Sequence, residues 1–176
     1  MAFTVEDGTG TAGATALLSV ENADAYFTDR GNTTWDGYDD TAKQAAIIRA
    51  SRFLSDSYAW DGWRTYGRTQ ELAWPRSGMT DHEGYSIPKT QIPVEIERAV
   101  AEVALREAAS PGAMTPDYTP ADRVKSEKVD VISIEYDLSR TDAESVRPVL
   151  LIVRDLIGPF LKSTAGNMIS GETLRG

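Results

Sequence analysis

The sequence contains no cysteine and a single histidine, His82, among its 176 residues. Without cysteine there are no disulfides, thiolate metal ligands or cysteine nucleophiles, a composition typical of proteins made in a reducing cytosol. With one histidine, neither a His-based catalytic triad nor a multi-histidine metal site is expected. We therefore expect a protein that is not an enzyme, with no catalytic residues, no metal and no cofactor.

Long apolar runs are also missing. The longest, at 149–153, lies between Arg147 and Arg154 and is far shorter than the ~20 residues that a membrane-spanning helix needs. The first residues include neither a basic region nor an apolar core, so no signal peptide is expected. These features predict no membrane partner.

Basic residues are outnumbered, with 18 Lys and Arg against 27 Asp and Glu, which gives a net charge of −9. The densest basic stretch, containing Arg123, Lys125 and Lys128, is interrupted by Glu127 and Asp130. Nonspecific nucleic-acid binding depends on Lys and Arg clusters that displace counterions from phosphates. The charge pattern alone therefore argues against tight DNA binding by a lone subunit.

The periodicity of apolar residues predicts a mainly α fold. Helices are expected at 20–30, 41–58, 93–109 and 143–157, and alternating residues predict a β-hairpin at 124–138. The resulting prediction is one domain spanning 1–176. It has a four-helix core with the inserted hairpin at 19–161, a long aromatic loop, and flexible arms at 1–18 and 162–176.

Three short patterns are better explained by ordinary structural roles than by ligand binding, metal binding or catalysis. Residues 8–13 match G-x-G-x-x-G, but no βαβ unit surrounds them, so a flexible glycine-rich arm is favoured over a dinucleotide site. Asp36, Asp39 and Asp40 lack the alternating ligands of a calcium loop and are interpreted as turn carboxylates, with Asp40 helping to cap the second helix. His82 is interpreted as a surface histidine.

The loop at 60–91 has no period and is rich in aromatic and arginine side chains. Three interpretations are open: stacking of single-stranded bases, a protein–protein interface, or rings that cover the ends of the helical core. The carboxylates of the same loop, Asp61, Glu71, Asp81 and Glu83, weigh against DNA. The candidate interface residues are Trp60, Trp63, Arg64, Tyr66, Arg68, Trp74, Arg76 and Tyr85, together with Met168, Ile169 and Leu174 of the C-terminal arm, which is expected to dock on a partner.

Several ordered blocks carry a family resemblance. They are VEDGTGTAGATA at 5–16, AAIIRASRFLSDSYAWDGWR at 45–64, IPVEIERAVAEVALRE at 92–107 and VKSEKVDVISIEY at 124–136. Over 5–137 the chain resembles head–tail connector (adaptor) proteins of long-tailed bacteriophages, a family often labelled DnaT-like single-strand-binding.

The resemblance implies a structural virion protein. It would form a homo-oligomeric ring, commonly a dodecamer, beneath the portal protein, and would join the portal to a tail completion or stopper protein. Double-stranded DNA would pass through the acidic lumen without specific binding, and the protein would be located in the virion neck after assembly in the host cytoplasm. The alternative is a single-stranded DNA-binding protein of phage replication or recombination.

Overall fold

Five α-helices and two two-stranded antiparallel sheets form the regular structure of the residues that the computed structural model describes, namely 2–115, 126–129, 132–135 and 150–162. The helices are α1 (Val20–Thr28), α2 (Thr33–Asp36), α3 (Asp40–Ser57), α4 (Val94–Ala109) and α5 (Leu151–Ile157). The strands are β1 (Trp63–Arg64), β2 (Arg76–Ser77), β3 (Ser126–Val129) and β4 (Ile132–Glu135). Short 3-10 helices lie at Gly67–Thr69 and Gly158–Phe160.

The packed pair α3 and α4 forms the centre of the core. α3 begins where the Asp39 side chain accepts a hydrogen bond from the backbone N–H of Ala42 at 2.8 Å, an N-cap that satisfies a free helix donor. Its residues Ile47, Ala50 and Leu54 are fully buried, and Ile96 and Val100 of α4 are buried too. The predictions for these two helices are confirmed within one residue at each end, and the prediction of a mainly helical fold is confirmed.

The four-helix detail of the prediction is not confirmed, because α2 lies between the first two predicted helices, where no helix was expected. Its Trp35 is fully buried, and the indole N–H donates to the Asp24 carboxylate at 2.6 Å. The same carboxylate forms an ion pair with Lys43 at 2.8 Å. A helix of four residues spans little more than one turn, so its sequence cannot show a helical period.

The N-terminal segment is packed, which corrects the prediction of a flexible arm over its described part, residues 2–18. Leu17 and Leu18 are buried in the core, and the Leu17 N–H donates to the Ser51 hydroxyl of α3 at 2.9 Å. Val5 and Ala16 form a parallel bridge that folds the segment back on itself. Small alanine side chains therefore serve here as close packing contacts, although their composition suggested flexibility.

The hairpin prediction is confirmed for β3 and β4, which pair with Val129 opposite Ile132. Of the helix predicted at 143–157, the structure describes α5 and not 143–149, which lie outside the described residues. Most of the predicted C-terminal arm, with Met168, Ile169 and Leu174, lies outside them as well.

The chain beyond α5 returns to the start of the aromatic loop. Leu161 forms an antiparallel bridge with Trp60. The Asp61 N–H donates to the Phe160 carbonyl at 3.0 Å, and the Lys162 N–H donates to the Ala59 carbonyl at 2.9 Å. Within the described ranges, no helix is long and apolar enough to cross a membrane.

Candidate functional site

The aromatic loop is ordered around the two-residue strands β1 and β2. Trp63 pairs with Ser77 and Arg64 pairs with Arg76. The hydroxyl groups of Thr65 and Ser77 lie 3.0 Å apart, and the Thr65 hydroxyl also donates to the Lys89 carbonyl at 2.9 Å. These bonds hold both ends of the loop together. Strands this short have no alternation to read in a sequence, which is why a loop without structure was expected.

Three aromatic side chains of the loop are exposed, and we refer to them together as the aromatic surface: Trp63 (64% exposed), Tyr66 (39%) and Tyr85 (69%). The Trp63 ring lies on Gly78, where an added Cβ would come within 2.6 Å of it. Gly78 therefore provides a flat floor for the indole, and no larger residue would fit. The candidates Trp63, Tyr66 and Tyr85 are thus accessible to a ligand.

Tyr66 is held in place by the N-terminal segment. Its ring lies against Gly10, and its hydroxyl donates to the Gly8 carbonyl at 3.2 Å. The buried Glu6 carboxylate accepts hydrogen bonds from the N–H groups of Gly8 at 2.9 Å and Gly10 at 2.8 Å. These amides, which belong to the G-x-G-x-x-G pattern, are therefore already bonded within the protein.

The charges near the aromatic surface nearly balance. Arg68 and Lys89 are exposed, whereas the half-buried Arg64 donates to the Gln70 carbonyl at 3.1 Å. The carboxylates of the loop are exposed or half-buried: Asp61, Glu71, Asp81 and Glu83. The surface is consequently close to neutral and lacks a continuous basic groove.

Arg76 is not available to a partner, which corrects its place among the interface candidates. Its side chain is buried and donates to the carbonyl oxygens of Asp61 at 2.6 Å, Gly62 at 2.9 Å and Ala73 at 3.1 Å. Burial, and then the nearby Arg64, lower the pKa of this guanidinium. Arg76 therefore joins the two arms of the loop from the inside.

Trp60 and Trp74 are likewise buried, so the interface prediction is corrected for them too. The Trp60 indole donates to the Leu54 carbonyl at 3.1 Å. Its ring meets Trp74 edge-on at 5.7 Å between centroids, and Trp74 meets Phe160 in the same way at 5.6 Å. For these two rings, covering the end of the core was the correct interpretation.

The other polar candidates occupy ordinary positions. His82 is exposed, and Asp39, not Asp40, caps α3. Within the ranges described above, no group of three or more acidic or histidine side chains is placed to hold a metal ion. The sequence analysis did not single out Gly78 or Lys89, and it interpreted Gly10 as part of a flexible glycine-rich arm.

A family model with the description "Putative DnaT-like ssDNA binding protein" matches residues 1–176, the whole of the chain. The chain belongs to this family. No curated protein and no solved structure matches it.

This match corrects the prediction of a head–tail connector. The function that was inferred from the resemblance was wrong. The family description names binding of single-stranded DNA and no head–tail connector. The ring of twelve copies, the portal and tail completion partners, and the passage of double-stranded DNA without specific binding are corrected with it. The stated alternative agrees better with the family. The location in the virion neck stays a prediction.

Proposed function

We propose that this protein binds single-stranded DNA through the aromatic surface. The observation that carries the proposal is the exposure of Trp63, Tyr66 and Tyr85 on an ordered loop in a member of a family described as DnaT-like and single-strand-binding. Every base has a π-face, so exposed rings can stack on a strand regardless of its sequence.

Stacking is the main source of affinity in this proposal. A base on an aromatic side chain contributes about 1–3 kcal/mol. Trp63 rests on Gly78, and Tyr66 rests on Gly10 with its hydroxyl bonded to Gly8. Since these rings are already held in place, a bound strand orders few side chains, and less free energy is lost on binding.

Phosphate contacts are few in the same proposal. Arg68 and Lys89 are the exposed cations of the loop, and the net charge of −9 opposes the approach of DNA. For a single strand, each neutralised phosphate contributes about −0.7 to the slope of log K against log salt. Two contacts give a slope of about −1.4, much shallower than that of a protein with a basic groove.

The test is the binding of an oligothymidylate of about ten to sixteen nucleotides, a length typical of such sites. The fluorescence of Trp63 reports binding, because the other three tryptophans, Trp35, Trp60 and Trp74, are at most 5% exposed. We expect quenching on binding, with a shallow dependence on salt.

The variants are compared by anisotropy of a labelled strand. Trp63→Ala is expected to weaken binding by about 5- to 150-fold, which corresponds to the loss of one stacked base. Trp63→Phe is expected to retain most of it. Leu151→Ala is the matched control, because Leu151 is as exposed as Tyr85 and lies on α5, outside the loop. Absence of binding, or equal binding by Trp63→Ala, would overturn the proposal.

We also propose that the protein acts by binding alone and catalyses no reaction. Prolonged incubation of a labelled single strand with the protein and Mg²⁺ is expected to leave the strand intact. Cleavage of the strand would refute this second proposal if replacement of one carboxylate residue of the chain abolished it, because a contaminating nuclease would not respond to that change.

A further inference from the structure

A cleft with a volume of about 310 Å³ lies between α1 and the first turns of α4, and neither the aromatic surface nor the family description accounts for it. Its volume is at the lower end of the range for small-ligand pockets. Nine residues line it, and those used below are Leu18, Ala25, Tyr26, Asp29, Arg30, Val94, Glu97 and Arg98.

The charged residues that line the cleft are two arginines, Arg30 and Arg98, and two carboxylates, Asp29 and Glu97. The Arg30 guanidinium carbon lies 3.6 Å from the centre of the Tyr26 ring, and one of its N–H groups donates to the Tyr26 carbonyl at 3.1 Å. Both Arg30 and Arg98 act electrostatically to lower the pKa of the Tyr26 hydroxyl, against the larger effect of burial. Among the described residues, neither arginine forms an ion pair with a carboxylate.

Two exposed, unpaired guanidinium groups beside one aromatic ring are suited to an anionic group. Arginine binds phosphate by paired N–H donors, and such charge-assisted hydrogen bonds are about twice as strong as neutral ones. Because Arg30 is already stacked on Tyr26, its planar group is held in one orientation.

The rest of the cleft combines an acceptor with apolar walls. Glu97 is half-buried, burial raises its pKa, and its carboxylate accepts no hydrogen bond from any group in the described ranges. Leu18, Ala25 and Val94 supply apolar surface. A carboxylate that lacks a partner and is partly withdrawn from water gains most from a ligand that donates hydrogen bonds.

We infer that this cleft binds one nucleotide, with its phosphate on Arg30 and Arg98 and its base along Ala25 and Val94, where Glu97 accepts the N–H donors of the base. Guanine fits best, because its N1–H and N2–H groups point in the same direction and reach both oxygens of one carboxylate. Thymine offers a single N–H, and the carbonyl oxygens on either side of it are repelled by the negatively charged carboxylate.

The nucleotide has two possible sources, a free mononucleotide or one position of a bound strand. The second source rests on the proposed function, since the strand would then reach the cleft from the aromatic surface. The first source does not. The experiment separates them by testing both ligands on the same set of variants.

Calorimetric titration of the full chain compares dGMP, dTMP and inorganic phosphate. We expect dGMP to bind about tenfold more tightly than dTMP or phosphate, as one good set of base contacts provides. Arg98→Ala is expected to weaken dGMP binding about tenfold, the loss of one charge-assisted contact. Glu97→Gln is expected to remove the preference for dGMP over dTMP. Arg52→Ala is the control, because Arg52 is exposed, lies on α3 outside the cleft and pairs with Asp56.

The strand is tested with an oligothymidylate that carries one central dG. If the cleft serves the strand, this oligonucleotide binds more tightly than the all-thymine one, and Arg98→Ala removes the difference. If it serves the free nucleotide, Trp63→Ala leaves dGMP binding unchanged and a single dG adds nothing.

Two outcomes would overturn the inference: equal binding of phosphate and dGMP, or no effect of Arg98→Ala on either ligand. In both cases, oligothymidylate binding that depends on Trp63 would leave the proposed function standing.

Discussion

Replacement of the buried Arg76 by methionine tests whether this guanidinium holds the aromatic loop together. Methionine keeps an unbranched chain in the same space but cannot donate to the carbonyl oxygens of Asp61, Gly62 and Ala73. Hydrogen bonds from a charged donor contribute about 1.5–3 kcal/mol each, and relief of the buried charge offsets part of their loss. We expect a net loss of about 3 kcal/mol in the free energy of unfolding.

Thermal unfolding followed by circular dichroism measures this loss. For a chain of this length, 1 kcal/mol corresponds to about 2–4 °C in Tm, so Arg76→Met is expected to lower Tm by about 6–12 °C. Arg68→Met is the matched control, since Arg68 lies in the same loop and is exposed. Its effect is expected to stay within about 0.5 kcal/mol. Equal shifts in the two variants would refute the reasoning, because the internal hydrogen bonds would then contribute nothing.

Three further predictions concern groups outside the aromatic surface. Glu107 is buried and pairs with Arg49 at 2.7 Å. Glu107→Gln is therefore expected to lower the free energy of unfolding by about 2–4 kcal/mol, which a lower urea midpoint would show. Burial, and then a hydrogen bond to a carboxylate, raise the pKa of Tyr26 to about 12 from 10.0. The contribution of the Tyr26 hydroxyl to the free energy of unfolding is therefore fully present below pH 10 and is lost as the pH rises from 10 to 12. Since the hydroxyl is partly solvated, this loss is expected to be about 1 kcal/mol. Measurement of the free energy of unfolding at pH 10 and at pH 12 should show the loss in the original protein and not in Tyr26→Phe. Gly8 has a φ of +95°, and an added Cβ would overlap a backbone carbonyl oxygen. Gly8→Ala should therefore lower Tm clearly more than Gly13→Ala, which has a similar φ and open space around it.

The long helices could be predicted from the sequence because their stripes repeat over several turns. In α3, Ile47, Ala50 and Leu54 recur at helical spacing, and all are fully buried. α2 and the strands β1 and β2 have two to four residues each, too few for any period. Their formation depends on tertiary contacts, such as the hydrogen bond of Trp35 to Asp24.

The candidate site was predictable in location but not residue by residue. Aromatic and arginine content marked the loop that carries the candidate site, yet composition does not distinguish the exposed Trp63 from the buried Trp60 and Trp74. That distinction comes from distant parts of the chain, such as Phe160, whose ring covers Trp74. The functional prediction followed the resemblance to head–tail connectors, and the family match overturned it.

The bridge between Trp60 and Leu161 bears on how the chain folds as it is made. These two residues are about one hundred positions apart, and at 5–20 residues per second a ribosome needs about 5–20 s to cover that distance. During this time the Trp74 ring lacks its edge-on partner, the Phe160 ring. A chain truncated before Phe160 would lack this ring contact permanently.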